Sequence, residues 1–189
     1  MKRMLAPVLC CLTLALNGCL THHVANNFAK YLDQQAGKSE LGHIAFKGSY
    51  RLTEATRDFD YSFRAASAGS TNKWHLALGE MLTDYLESGD VQDALGGLKA
   101  GGGQAGNELL FDMTDYEFKN MMAYVEVKVT ATRGGEKIFT HSYESKGKNQ
   151  AGKILNTGMF GMNGAIQLST KTAFDEIMAE IIEDLKSKN

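Results

Sequence analysis

Few residues of this chain have a type and spacing that chemistry would use. The cysteines are Cys10, Cys11 and Cys19, all within the first nineteen residues, so the body of the chain holds no cysteine-based metal site. The histidines are His22, His23, His43, His75 and His141. His22 and His23 are neighbours and diverge on any regular element. No His-x-x-x-His or His–Cys pairing supplies the three or four converging ligands a metal needs. Structural or surface histidines and no metal are the expectation. Gly147-Lys148-Asn149-Gln150-Ala151-Gly152-Lys153 matches seven positions of a phosphate-binding P-loop. Ile154 stands where a Ser or Thr hydroxyl must reach Mg²⁺, and Gly158, Gly161 and Gly164 follow where a helix should open. Gly101, Gly103 and Gly106 spell GxGxxG, but between a predicted helix and a predicted strand, the reverse of a dinucleotide site. No serine sits in a Gly-x-Ser-x-Gly elbow. Of Asp112, Asp115 and Glu117, strand alternation allows only Asp115 and Glu117 to share a face, and a solvated sheet face explains them. The expectation is a protein that is not an enzyme, binds no nucleotide and carries no cofactor.

The one modifiable residue with a strong context is Cys19. Lys2 and Arg3 open the chain, and Met4 to Leu16 is apolar apart from Pro7 and Thr13. Thirteen helical residues reach about 20 Å, short of the roughly 30 Å hydrocarbon core, so the run reads as a signal-peptide core rather than a membrane span. Leu16-Asn17-Gly18-Cys19 then resembles the lipobox of bacterial lipoproteins, with Asn17 departing from the usual small residue. The resemblance implies a diacylglyceryl group on the Cys19 sulfur, cleavage before it, and a signal peptide over residues 1–18. Cys10 and Cys11 would leave with that peptide, and the remaining lone Cys19 could form no internal disulfide. The remaining chain would carry 18 basic and 22 acidic residues. Leu20 stands where many Gram-negative lipoproteins retained at the inner membrane carry Asp, so the resemblance implies the outer-membrane default, with the domain facing the periplasm. More than one acyl chain is needed for stable anchoring. An exported protein meets no pool of ATP, which further weakens the P-loop match.

The elements behind these residues follow from composition and period. The chain has 189 residues, 43% hydrophobic and 22% charged, with a net charge of −2. That excludes wholesale disorder and argues against a nucleic-acid binder. Pro7 is the only proline, so no proline-rich stalk follows Cys19. Residues 19–40 read as a lipidated tether, although Val24, Phe28, Tyr31 and Leu32 have the spacing of a short amphipathic helix. Residues 41–189 read as a single α+β domain. Ile44 to Leu52 and Phe59 to Ala65 alternate with period two, predicting two strands joined as a hairpin. Asn72 has the character of an N-cap for a helix bearing Trp74, Leu78, Met81, Leu82, Tyr85 and Leu86, stopped by Gly89, with a further turn over Val91 to Leu95. Gly96 to Gly106 holds six glycines and reads as a mobile loop. Three strands come next: Leu109 to Phe118 with a bulge near Thr114, Ala123 to Ala131, and Lys137 to Ser145 after the turn signal Arg133-Gly134-Gly135-Glu136. A loop spans Lys146 to Gly164, and a final helix runs from about Ser169 to Lys186 with Ala173, Phe174, Ile177, Met178, Ile181, Ile182 and Leu185 on its apolar stripe. The order ββαβββα predicts an antiparallel sheet of about five strands covered on one face by two helices.

One loop segment stands out. Gly158-Met159-Phe160-Gly161-Met162-Asn163-Gly164 is apolar, Met-rich and flexible in its backbone, and Lys146, Lys148 and Lys153 precede it. Two readings stay open. Met159, Phe160 and Met162, with Lys148 and Lys153, form a contact surface for a partner or lipid headgroup, or the apolar three cap the core where the last helix begins. The lipobox at Cys19 together with Trp74–Leu86, Ala123–Ala131 and Ala173–Leu185 resembles in layout the YajG-type and ABC-transport-auxiliary outer-membrane lipoproteins. The glycine-rich insert fits neither. The resemblance brings no catalytic residues. It implies a non-enzymatic, lipid-anchored envelope protein that binds or steadies a protein partner. The alternative is an auxiliary lipoprotein of a lipid or ABC transport system that binds an apolar ligand.

Overall fold

A computed structural model describes residues 20–64, 72–101, 106–152 and 161–188. In chain order the strands are β1 (Leu20–His23), β2 (Gly48–Leu52), β3 (Asp60–Phe63), β4 (Asn72–Ala77), β5 (Leu98–Ala100), β6 (Asn107–Lys119), β7 (Met122–Arg133) and β8 (Glu136–Lys146). The helices are α1 (Phe28–Gln34), α2 (Glu54–Arg57), α3 (Leu78–Glu87), α4 (Gly89–Leu95) and α5 (Met162–Ser187). The class is α+β.

The strands β6, β7 and β8 form a long antiparallel meander. Ala123, Val125, Val127, Val129 and Ala131 all point to the buried side of β7, as strict alternation demands. On β6 the alternation slips. Leu109, Phe111 and Met113 are buried, and then Tyr116 and Phe118 are. A bulge between Met113 and Asp115 absorbs the odd step and keeps both halves facing the core. The β7–β8 turn places Gly134 at φ 59° and Gly135 at φ 85°, the left-handed pair that a two-residue hairpin turn requires. The expected bulge and hairpin are both present.

Topology beyond the meander departs from the sequence reading. The larger sheet has the order β5-β2-β6-β7-β8, with β2 parallel to both β5 and β6, so it is mixed rather than antiparallel. The predicted hairpin between β2 and β3 does not form. Thr53 caps α2 by accepting the Thr56 N–H at 3.2 Å, and this turn of helix sends the chain into a second sheet. That sheet has the order β1-β4-β3. Residues 72–77, expected as the start of a helix, are its central strand, with Asn72, Trp74 and Leu76 buried on alternate positions. Trp74 has helical spacing to Leu78 but strand spacing to Leu76, and pairing on both edges decides for the strand. Leu98–Ala100, inside the expected glycine-rich loop, pairs with β2 as an edge strand. The N-terminal segment read as a tether carries β1 and α1, with Val24, Phe28 and Leu32 buried in the common core.

The buried face of the larger sheet is covered by α5 over β7 and β8 and by α3 and α4 beside β5, and the Tyr50 hydroxyl of β2 donates to Glu87 of α3 at 2.8 Å. The helices therefore do lie on one side, as expected, with the small sheet completing the layer. Tyr61 meets Tyr116, and Phe63 meets Phe118 and Trp74, at centroid distances of 5.2, 5.3 and 5.7 Å. The Tyr61–Tyr116 and Phe63–Phe118 contacts bind the two sheets together, and Phe63–Trp74 packs within the small sheet.

Candidate functional site

The densest polar cluster lies where the loop after α1 crosses α5. Lys171 belongs to the same helical stripe as Phe174 and Met178 and is only 6% exposed. Its ammonium group donates to Asp175 Oδ2 at 2.7 Å, one turn further on, and to Ser39 Oγ from the loop. Ser39 Oγ donates to Asp175 Oδ1 at 3.1 Å, and the Tyr85 hydroxyl of α3 donates to the same oxygen at 3.0 Å. Nearby, the Gly37 N–H donates to Asp90 Oδ1 of α4 at 2.7 Å. Burial, reinforced by Asp175, pushes the Tyr85 hydroxyl far up and the Tyr31 hydroxyl to about 12. Partial burial works to raise the Asp90 carboxyl, but the Gly37 N–H, Ser39 and Lys171 outweigh it and hold Asp90 below the usual range. A cleft of about 460 Å³ opens over the cluster, lined by Lys38, Ser39, Leu41, Lys148, Leu168 and Lys171 among others.

A serine hydroxyl beside a lysine nitrogen is the pair that Ser–Lys acyl-transfer sites use. In this cluster the Lys171 nitrogen is engaged with Asp175, and the Ser39 hydroxyl gives its proton to the same carboxylate. The arrangement acts as a staple that holds the loop against α5 and α3, since a buried charge must be paired and hydrogen-bonded. The sequence reading missed it. Its only local signal was the i,i+4 Lys171–Asp175 pair, with a lysine inside an apolar stripe.

A second cleft, of about 520 Å³, lies at the end of the β6–β8 meander. Cross-strand register sorts its charges into rows. Glu117, Tyr124 and Lys146 face one another across the three strands, and Asp115, Glu126 and Glu144 form the row behind. Lys119, paired with Glu117, lies 4.8 Å from the centre of the Tyr124 ring, and Lys146 lies 5.7 Å from it. The bulge also corrects the face assignment of the β6 carboxylates. It brings Asp112, opposite Lys128, to the same side as Asp115 and Glu117. Simple alternation could not show this, because one inserted residue reverses the parity.

The residues singled out from the sequence are not brought together as one site. Cys19, Lys153, Met159 and Phe160 lie outside the described residues. Met162 stands in the first turn of α5 and is fully buried in the core cluster, so its side chain offers no contact surface here. Lys148 is exposed after β8. Gly147, which opens the P-loop-like run, packs against α5. His22 stacks on Trp74 at 5.2 Å, and His141 bonds to Asp184 at 2.7 Å. Among the described residues no group of His, Cys, Asp or Glu is placed to hold a metal, and no helix is long and apolar enough to cross a membrane.

Fold and cluster together define an α+β domain whose mixed sheet is roofed by a long C-terminal helix and stapled by a buried ion pair. No protein-family model matches the chain, and no curated protein matches it in sequence. Among solved structures, a Xanthomonas campestris protein of the family DUF330 is similar over 79% of this chain and 92% of its own, at 8% identity and a TM-score of 0.48. A minor lipoprotein from Acinetobacter baumannii is similar over 77% and 93%, at 13% identity and a TM-score of 0.34. Likenesses this slight carry neither fold nor function across to this chain.

Proposed function

We propose that this chain is a lipid-anchored envelope lipoprotein without catalytic activity, which binds or steadies a protein partner at the outer membrane from the periplasmic side. The observation that carries the reading is the sequence Leu16-Asn17-Gly18-Cys19 after a thirteen-residue apolar run, followed at once by Leu20 rather than Asp. Acylation there gives the lone cysteine a use and the domain an anchor. The two clefts are lined largely by charged and polar side chains, which favours a protein partner over the alternative of an auxiliary transport lipoprotein holding an apolar ligand.

Metabolic labelling with an acyl analogue tests the anchor. The wild-type chain should take up label and fractionate with membranes. Cys19→Ser should remain an unlabelled precursor, and equal label in that variant would sink the reading.

A further inference from the structure

The position of the anchor fixes more than attachment. Cys19 is bonded directly to Leu20, the first residue of β1, so no residue lies between the anchor and the strand. β1 is hydrogen-bonded to β4, with Leu20 opposite Asn72. Leu20, at 56% exposed, is the only large hydrophobic residue left exposed among the described residues. A domain acylated at Cys19 therefore has no linker on which to float.

The strands show what else lies at that end. β4 begins there at Asn72, with Lys73 next, and β3, antiparallel to it, ends there at Phe63, with Arg64 following it. Tyr61 packs on Tyr116 and Phe63 on Phe118, so β6 runs alongside β3 toward the same end. Its turn into β7, Lys119 to Met122, follows Phe118 at once. Lys146 of β8 is paired with Tyr124 beside that turn. Arg64, Lys73, Lys119 and Lys146 thus share one pole with Leu20, and Glu117 is the carboxylate that accompanies Lys119. The acidic row Asp115, Glu126 and Glu144 lies one step back along the strands.

From this sorting, and resting on the lipoprotein reading above, we infer that the domain stands end-on upon its own membrane. The start of β1, the start of β4 and the β6–β7 turn meet an anionic lipid surface. Leu20 enters the interface beside the acyl chains, and the basic residues lie at headgroup level. An orientation flat on the outer sheet face would press Asp115, Glu126 and Glu144 onto phosphates, which like-charge repulsion opposes. The far end of the meander, at the β7–β8 turn, is left free for a partner.

Depth-dependent quenching tests the orientation. Acylated protein carrying a single bimane label at Lys119→Cys, Lys128→Cys or Lys137→Cys is placed in vesicles of phosphatidylethanolamine and phosphatidylglycerol with headgroup spin labels. The wild-type Cys19 sulfur is acylated and does not react with the dye. Lys128 and Lys137 lie about 20 Å and about 34 Å further along the strands than Lys119. Quenching should be strong at position 119, at least twofold weaker at 128, and absent at 137. Vesicle-bound, acylated protein with equal or reversed quenching overturns the orientation and leaves the lipoprotein reading intact. Protein that is not acylated overturns both.

Discussion

Gly147, just past the end of β8, lies so close to Ser169 of α5 that a Cβ on the glycine would overlap the Ser169 carbonyl oxygen and hydroxyl. The contact belongs to a knot. Gly147 N–H donates to the Ala123 carbonyl at 2.8 Å, and Ala123 N–H donates to Ser169 Oγ at 2.8 Å. Only a residue without a side chain lets the sheet and helix approach so closely. The glycine that opens the P-loop-like run thus has a packing role. Gly147→Ala should displace α5 and cost about 1–3 kcal/mol. Denaturant melts check this, and a change under about 0.5 kcal/mol would mean the knot relaxes freely.

Val127 is 1% exposed at the centre of β7, and Ile177 is 4% exposed on the face of α5 turned to the sheet. Either residue truncated to Ala should lose about 2–4 kcal/mol through lost transfer energy and a residual cavity. Lys128→Ala, on the opposite face of the same strand, should stay within about 0.5 kcal/mol of wild type. Equal losses at 127 and 128 would refute the assignment of faces.

Removing one partner of a buried ion pair leaves the other charge uncompensated. Lys171→Met should therefore destabilise the fold by about 2–3 kcal/mol, below the usual cost of about 3–5 kcal/mol, because Asp175 is partly exposed and keeps its bonds from Ser39 and Tyr85. The double variant Lys171→Met with Asp175→Leu also leaves the Ser39 and Tyr85 hydroxyls without their acceptor, so it should lose less than the sum of the two single variants without regaining wild-type stability. A double-mutant cycle in urea measures the coupling. Additive losses would show that the two residues do not act as a pair.

On α3, burial, followed by repulsion from Glu80, pushes the Asp84 carboxyl up to about 6, against a bond from the Ala29 backbone. The folded value exceeds the unfolded one, so the native state binds the extra proton between roughly pH 4 and pH 6. Stability from this group is then greatest at the acid end of that window and falls as pH rises through it. Asp84→Asn should be more stable than wild type at pH 7 by about 1 kcal/mol after solvent screening, and the gap should close below about pH 4. Urea midpoints of both proteins across pH 4–7 give the comparison. A gap that widens toward acid would reverse the assignment.

Local features were legible in the chain itself. The alternation of β7, the slip at Thr114, the paired glycines at 134 and 135, and the apolar stripe of α5 from Ala173 to Leu185 all appear where residue period and turn chemistry place them. Each depends on neighbours within a few residues, and side-chain direction along a strand or helix is set at that range. The lipobox-like run ending at Cys19 is equally local and needs no fold to be read.

Strand partnership was decided only in three dimensions. Nothing near β2 states that it must lie parallel to β6, more than fifty residues on, or that β1 must pair with β4 rather than hang as a tether. Trp74 fits a helical period with Leu78 and a strand period with Leu76, until β1 and β3 take the backbone hydrogen bonds on either side. Ser39 meets Lys171 and Asp175 across more than 130 residues, so no spacing rule could pair them. Hydrophobic periodicity tells a segment which of its faces to bury. It does not say against what, because burial is non-directional and the choice among apolar partners rests on how the whole core packs.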